Sequence, residues 1–377
     1  MKRLHKGGVM AALAGALLAA LSATPAAADA TYQVRIDTSA VKGTSGFLDF
    51  QFNPGNSSGQ AATATIAGFA SDGALTNATL QTNGDVTGTL PGTLTFDNLM
   101  ALNEYFQSFN FGTTIAFSVT LGGPAINAPN GTATAGSTFG VGLYDQNQNP
   151  ILTNQGAFTG FAGLIDINLN GTTTVTAFPT ATNGPSVFKT AGPAKDAFQI
   201  RYTANLDKGD SFVNLTNTGA LSNVDPVGNI CVNVYTFDPA EELISCCSCV
   251  VTPNGLQSLS VLKSLISNPL TPAIPTAAVI KMVASTANNK GSVTCNPSLV
   301  NEGNLVPGLL AWGTGLHAQP TTPVSYGVTE GPFSQAALSA AELAHITSTC
   351  GFIQSNGSGF GICKGCAAGG RGATPAQ

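Results

Sequence analysis

The sequence predicts a mainly β protein: an N-terminal β-sandwich, jelly-roll or immunoglobulin-like, followed by a disulfide-rich β domain with one or two short helices. Three observations carry this reading. Many short β-favouring runs sit between Gly, Asn and Pro punctuation, the pattern of sandwiches and barrels. Charged residues make up only 9% of the 377-residue chain, against about 25% in a typical soluble domain. All eight cysteines fall between Cys231 and Cys366, so one half must be held by its core and the other can be stapled.

The chain opens with Lys2, Arg3 and Lys6, then the apolar or small run VMAALAGALLAALSA over residues 9–23, then ATPAAADA. A basic region, a short apolar region and small residues at peptidase spacing form a secretory signal. Residues 1–30 are therefore expected to be a signal peptide, cleaved after Ala30 or after Ala28. The apolar run is too short for a comfortable membrane span, and no later stretch is long and apolar enough to be one. The expected location is secreted, extracellular or on a bacterial cell surface.

Residues 31–179 are expected to form the sandwich. TYQVRIDTS, GFLDFQFN, ATATIAGFA, TGTLPGTLTFD, TTIAFSVTLG, STFGVGLYD and TTTVTAF read as strands in order. In FLDFQF, Phe47, Asp49 and Gln51 alternate with Leu48, Phe50 and Phe52, a period of two that suits a sheet with one wet face. FDNLMALNEYFQSF, residues 96–109, is expected to be a short helix. TATNGPSVFKTAGPAKDA, residues 180–197, reads as a linker by its Gly, Pro and Ala content. GTSGFLDFQFNPG, GDVTGTLPGTLTFDN and NEYFQSFNFGTTIAFSVTLGGPA resemble the sandwich region of exported bacterial proteins sorted by a PEP-CTERM signal. That resemblance implies an extracellular β-sandwich and no particular activity. The final stretch, GICKGCAAGGRGATPAQ, carries no PEP motif, apolar segment or basic tail.

Residues 198–366 are expected to be the Cys-rich domain, with 367–377 a disordered tail. FVNLTNTG, NICVNVYTFD and TAAVIKMVAST read as strands, while the leucines of GLQSLSVLKSLI fit neither period. LSAAELAHITSTCGFIQSNG predicts a helix. Ser339 is its N-cap, Glu342 completes a capping box, and Leu338 with Leu343 forms a staple. Leu343, Ile346, Cys350 and Ile353 share one face, and Asn356-Gly357 is the stop. GNICVNVYTFDPAEELISCCSC, VTPNGL and the stretch from ELAHITSTC to GSGFGIC resemble a recurrent Cys-rich module of exported bacterial proteins with no assigned activity.

In ISCCSC, Cys246, Cys247 and Cys249 lie within four positions. An even cysteine count in an oxidising compartment predicts disulfides among Cys231, Cys246, Cys247, Cys249, Cys295, Cys350, Cys363 and Cys366. Neighbours Cys246 and Cys247 bond each other only through a strained ring. On a strand they point to opposite faces, so each can staple a different layer. Connectivity stays open among on the order of a hundred pairings. A metal hook of Cys247 and Cys249 with Cys363 and Cys366 would need reduced thiolates, which secretion opposes. A redox pair at Cys363-Lys-Gly-Cys366 lacks the helix that would activate it. Haem attachment fails because Ala367 follows Cys366.

Other motifs argue against chemistry. DINLNG, Asp166 to Gly171, starts like a calcium loop but has Ala177 where a glutamate belongs. It reads better as a strand entering an Asn-Gly hairpin. Asp145, Asn147 and Asn149 offer only a weak calcium pattern. GNSSG, Gly55 to Gly59, fits a nucleophile elbow in letters but sits in a Pro-Gly loop. His317 and His345, with no paired carboxylate motif, make a poor triad, and Glu241-Glu242 reads as a solvated turn. Sequons at Asn56, Asn77, Asn130, Asn170, Asn214 and Asn356 mark polar loops.

The expected function is therefore that of a secreted, non-catalytic cell-surface or extracellular-matrix structural protein. Uncharged strands such as TTIAFSVTLG and TTTVTAF oppose edge-to-edge self-association only weakly. A carbohydrate-binding or adhesion module is the alternative, although one Trp and six Tyr are few for a sugar platform. A hydrolase ranks behind both. No catalytic residue, cofactor or metal is expected. The expected partners are further copies, other extracellular surface components or glycans. The 14 basic residues form no run and the net charge is −5, which argues against nucleic acid.

Overall fold

The computed structural model describes residues 29–154, 160–288 and 294–366. The signal peptide and the tail expected at 367–377 lie outside them, Asp29 and Ala30 excepted. The chain is mainly β, in four antiparallel sheets.

The first two sheets use β1 (Ala30–Asp37), β2 (Ser45–Pro54), β3 (Thr63–Ser71), β4 (Ala74–Asn83), β5 (Val86–Gly88), β6 (Leu94–Asp97), β7 (Glu104–Asn110), β8 (Thr114–Gly122), β9 (Ser137–Asp145), β10 (Phe161–Ile167), β11 (Thr173–Ala177) and β12 (Phe188–Thr190). Sheet one runs β12-β1-β8-β3-β6-β5, and sheet two runs β11-β10-β9-β2-β7-β4. Leu48, Phe50 and Phe52 of β2 point into the core between them, as the alternation predicts. Aromatic side chains dominate that core: Phe50 meets Phe117 edge-on with ring centroids 5.3 Å apart. A one-turn helix, α1 (Pro124–Asn127), follows β8.

The helix expected at 96–109 does not form. β6 ends at Asp97 and β7 begins at Glu104. Leu99, Met100 and Leu102 are apolar yet exposed, so they offer no face to bury. The buried amides of Asn98 and Asn103 supply what the bend needs instead. Asn98 Nδ2 donates to Gln60 O at 2.8 Å and to Ser137 Oγ at 2.7 Å. Asn103 Nδ2 donates to Phe52 O at 3.0 Å and Met100 O at 2.9 Å. TTIAFSVTLG is the interior strand β8, flanked by β1 and β3, and so offers no edge; TTTVTAF is β11, which does. The segment 180–197 is not slack. Phe188–Thr190 pairs with β1, and the Phe188 ring is buried over Gly163. Ala191 and Ala197 already belong to the next core.

The second half uses β13 (Phe198–Thr203), β14 (Phe212–Asn217), β15 (Ile230–Phe237), β16 (Leu243–Val251), β17 (Leu256–Ser260), β18 (Ala278–Thr286), β19 (Leu309–Gln319), β20 (Ser325–Pro332) and β21 (Ser334–Gln335), closed by α2 (Ala340–Ser355). Sheet three runs β16-β15-β18-β13-β21, and sheet four runs β17-β14-β19-β20. One core lies between these sheets and another between sheet three and α2. Sheet three is thus covered on both faces, which is why every residue of β15 and β16 is buried. GLQSLSVLKSLI fitted no single period because it is two elements. β17 passes at Ser260 into a π-helical turn over Val261–Leu265.

α2 starts and stops where its caps predict. Ser339 Oγ accepts from Glu342 N at 3.2 Å, and Gly357 follows the C-cap at φ +70°. Glu342 does not close the capping box; its carboxylate turns to the Lys281 ammonium of β18. The two halves meet where Gln33 Nε2 of β1 donates to Leu305 O at 3.0 Å.

Candidate functional site

The cysteines form four cross-links: Cys231–Cys295, Cys246–Cys350, Cys247–Cys363 and Cys249–Cys366, with Cα separations of 5.6, 6.0, 5.5 and 4.8 Å. Three of them radiate from β16. Cys246 faces α2, whereas Cys247 and Cys249 face the core between the sheets, as alternation along a strand requires. The redox pair Cys363–Cys366 does not exist as a pair, because its members hold separate partners on β16. The same bonds take up all four sulfurs of the metal-hook alternative.

The geometry gives these bonds a purpose beyond stapling. β16 is the end strand of sheet three, and an open edge invites pairing with another chain. Here the chain's own C-terminal segment fills it. Cys246 N donates to Gly361 O at 2.9 Å and Cys363 N to Cys246 O at 3.3 Å, while Leu270 N donates to Ile244 O at 2.8 Å. ISCCSC is an edge strand buckled under its own tail.

Among the described residues, sheet two has no such cover. Its outer strands are β11 and β4, and neither TTVTA nor ALTNATLQTN carries a charge or a proline. β4 slips register between Leu75 and Leu80, so its regular free stretch is Leu80–Asn83. Sheet edges are ordinarily protected by Lys, Pro or bulges; β11 has none of these.

The outer face of sheet two holds a buried carboxylate. Asp49 is 2% exposed. Gln51 Nε2 donates both to Asp49 Oδ2 at 2.8 Å and to Glu104 Oε1 at 3.2 Å. Asn83 Nδ2 holds the other Glu104 oxygen at 2.6 Å. Burial, and then the Glu104 carboxylate, push the Asp49 carboxyl up to about 7. Burial, with the two carboxylates beside it, pushes the Tyr144 phenol up to about 12. Gly142 lies opposite Asp49, and a Cβ there would sit 2.7 Å from the Tyr144 ring. The glycine lets that ring lie against the sheet. This arrangement shields a carboxyl from water and can hold a proton near neutral pH.

The outer face of sheet four is of another kind. Alternation along β14 and β19 puts Phe212, Asn214 and Thr216 beside Leu310, Trp312 and Thr314. Trp312, the only tryptophan in the chain, is 37% exposed. Directly beside it on the sheet, Ser258 Oγ donates to Asn214 Oδ1 at 2.6 Å, and Asn214 Nδ2 donates to Glu330 Oε1 at 3.1 Å. Sequence reading counted the tryptophan but missed its setting. The period-two spacing of Leu310, Trp312 and Thr314 was the available signal.

The remaining motifs resolve into turns. Asp166 lies within β10, opposite Thr174, and Asn168 N donates to Thr172 O at 2.8 Å to close the β10–β11 hairpin. Asp145 Oδ1 accepts from Asn147 N and Asn149 N, both at 2.8 Å. In GNSSG, Asn56 Oδ1 accepts from Ser58 N at 2.8 Å, so the segment is a side-chain-locked turn. His317 and His345 are exposed on β19 and α2. Among the described residues no group of three or more His, Cys, Asp or Glu is placed to hold a metal. No helix among them is long and apolar enough to cross a membrane. No protein family, curated protein or solved structure matches the chain.

Proposed function

We propose that this chain is an exported, non-catalytic structural protein of the cell surface or extracellular matrix that assembles through its sheet edges. One observation carries the reading: sheet two has an uncharged outer strand on each side, while the end strand β16 of sheet three is covered. An exposed strand without charge is a template for strand addition. β11 offers a regular edge and β4 a shorter one, Leu80–Asn83, beyond its register slip, and edges on opposite sides of one sheet let addition propagate rather than close. Four disulfides suit a protein that persists in an oxidising exterior, and the basic-then-apolar N-terminus supplies the route out.

The test is assembly state against concentration, read by light scattering and negative-stain electron microscopy. The expected result is concentration-dependent oligomers or fibrils. A double variant, Thr174→Lys with Thr176→Lys on β11, is expected to remain monomeric. Monomers of the unsubstituted protein across the whole concentration range would remove the reading.

A further inference from the structure

We infer that the outer face of sheet four is a binding platform for a neutral polysaccharide, with Trp312 as the stacking surface and Asn214, Ser258 and Glu330 as its hydrogen-bonding rail. The inference stands on a different sheet from the edges that carry assembly.

The face combines two chemistries at fixed spacing. Trp312 sits on β19 directly across from Asn214 on β14, which in turn lies across from Ser258 on β17. The indole and the polar row are therefore neighbours on one flat surface, about 5 Å apart from strand to strand. A pyranose has the complementary form: an apolar face of C–H bonds and an edge of hydroxyls. A flat aromatic surface takes the first, and a few placed polar groups take the second. The rail is pre-organised, because Ser258 holds Asn214 and Asn214 holds Glu330. Asn214 and Glu330 each retain acceptor capacity for a sugar hydroxyl, a carboxylate having about four lone-pair sites.

Charge decides the class of ligand. Among Phe212, Asn214, Ser258, Trp312 and Glu330, the single charge is a carboxylate. Arg201, the cation within reach of Glu330, spends its Nη1 on Gly331 O and Pro332 O, and Glu330 itself repels an anionic polymer. A neutral, hydroxyl-rich chain is the complementary partner. An extended sheet face favours a ribbon-like chain of equatorial linkages over a compact, branched glycan.

The same face weighed as a protein-docking surface is less well matched. Protein interfaces deplete Ser and Glu at their cores and favour contiguous apolar area. Here Ser258 and Asn214 lie in line with Trp312, and Glu330 lies opposite Thr314, so polar groups separate the exposed Phe212 from Leu310.

Because Trp312 is the only tryptophan, its fluorescence reports the site directly. The protein would be titrated with hydroxyethylcellulose and, separately, with chitin oligosaccharides. Alginate serves as the anionic comparison. The expected result is a blue shift of emission and reduced acrylamide quenching with a neutral polymer, and neither change with alginate. Affinity electrophoresis through gels containing the neutral polymer reads the variants. Trp312→Ala is expected to lose at least ten-fold in retardation constant, and Asn214→Ala and Glu330→Gln several-fold. Trp312→Phe is expected to keep part of the binding.

Unchanged emission with both neutral polymers would overturn the inference. So would retardation that survives Trp312→Ala in a variant whose circular dichroism matches the parent. A response to alginate as large as that to the neutral polymers would overturn the assigned ligand class. The β11 lysine pair should leave retardation of the monomer unaltered, so failure of assembly and failure of sugar binding are read separately.

Discussion

The two halves of this molecule solve the same problem with different materials. Between sheets one and two, eight phenylalanines and two tyrosines are buried. Between sheets three and four, Phe333 is the one buried phenylalanine, among Val, Ile, Leu, Ala and Cys. Large rings bury more area per residue and stack on one another, so the first sandwich holds without a covalent link. The second adds cross-links that close loops with sequence separations of 64 to 117 residues. A bond that closes so long a loop acts mainly by restricting the unfolded chain. Sulfur in one half does the work of aromatic area in the other.

The comparison breaks most plainly under reduction. Each disulfide is worth about 2–5 kcal/mol, and a whole domain has a margin of only about 5–15 kcal/mol. Reducing all four bonds is expected to unfold the second sandwich and leave the first intact. Hydrogen exchange mapped by mass spectrometry checks this: protection should vanish over residues 198–366 and persist over 31–179. Simultaneous loss in both halves would make the two sandwiches one cooperative unit and end the contrast.

Phe50→Ala is the converse blow. Removing a fully buried phenylalanine costs about 3–5 kcal/mol through lost burial and the cavity left behind. The thermal transition of the first sandwich is expected to fall, while the second keeps its own.

The Asp49 carboxyl sharpens the comparison by giving the first sandwich a pH dependence. Folding raises it to about 7 from about 4 in an unfolded chain. Below about 4 it is protonated in both states and contributes nothing. Between those values the folded state binds more protons than the unfolded one, so stability falls as pH rises. Above about 7 the full penalty is present, at most about 4 kcal/mol. Urea denaturation at pH 4 and pH 8 measures it. Asp49→Asn should flatten the dependence and stabilise the protein at pH 8; a variant as pH-sensitive as its parent would assign the effect to another group.

The smallest effect is at α2. Ser339→Ala removes the side-chain cap on Glu342 N and should cost about 1 kcal/mol. It is expected to act on the second sandwich only, since α2 packs on sheet three.

The same contrast explains what was legible in the sequence. Strands with one buried face announce themselves by alternation, as in β2. β4 and β20 do not, because ALTNATLQTN and SYGVTEGP lie almost wholly on the surface and bury no regular face. The helix expected at 96–109 gives way to a bend on which Leu99, Met100 and Leu102 stay exposed. Only distant acceptors on Gln60 and Phe52 show that Asn98 and Asn103 shape a bend there. Of the cysteines, the opposite facing of Cys246 and Cys247 followed from strand geometry, but their partners could not be read from spacing. The Asp49 and Trp312 faces depend on cross-strand neighbours, and a single chain does not display those until its register is known.

The buckle over β16 also imposes a schedule. Cys363 stands 116 residues after Cys247, and Cys366 stands 117 after Cys249. At a synthesis rate of about 5–20 residues per second, the covering segment follows its strand by roughly ten seconds. For that interval a nine-residue, chargeless strand waits with the outer N–H and C=O of Cys246 unclaimed. Whatever accompanies the nascent chain must keep neighbouring copies apart for that long, since the last stretch of the second sandwich to be made is the one that seals it.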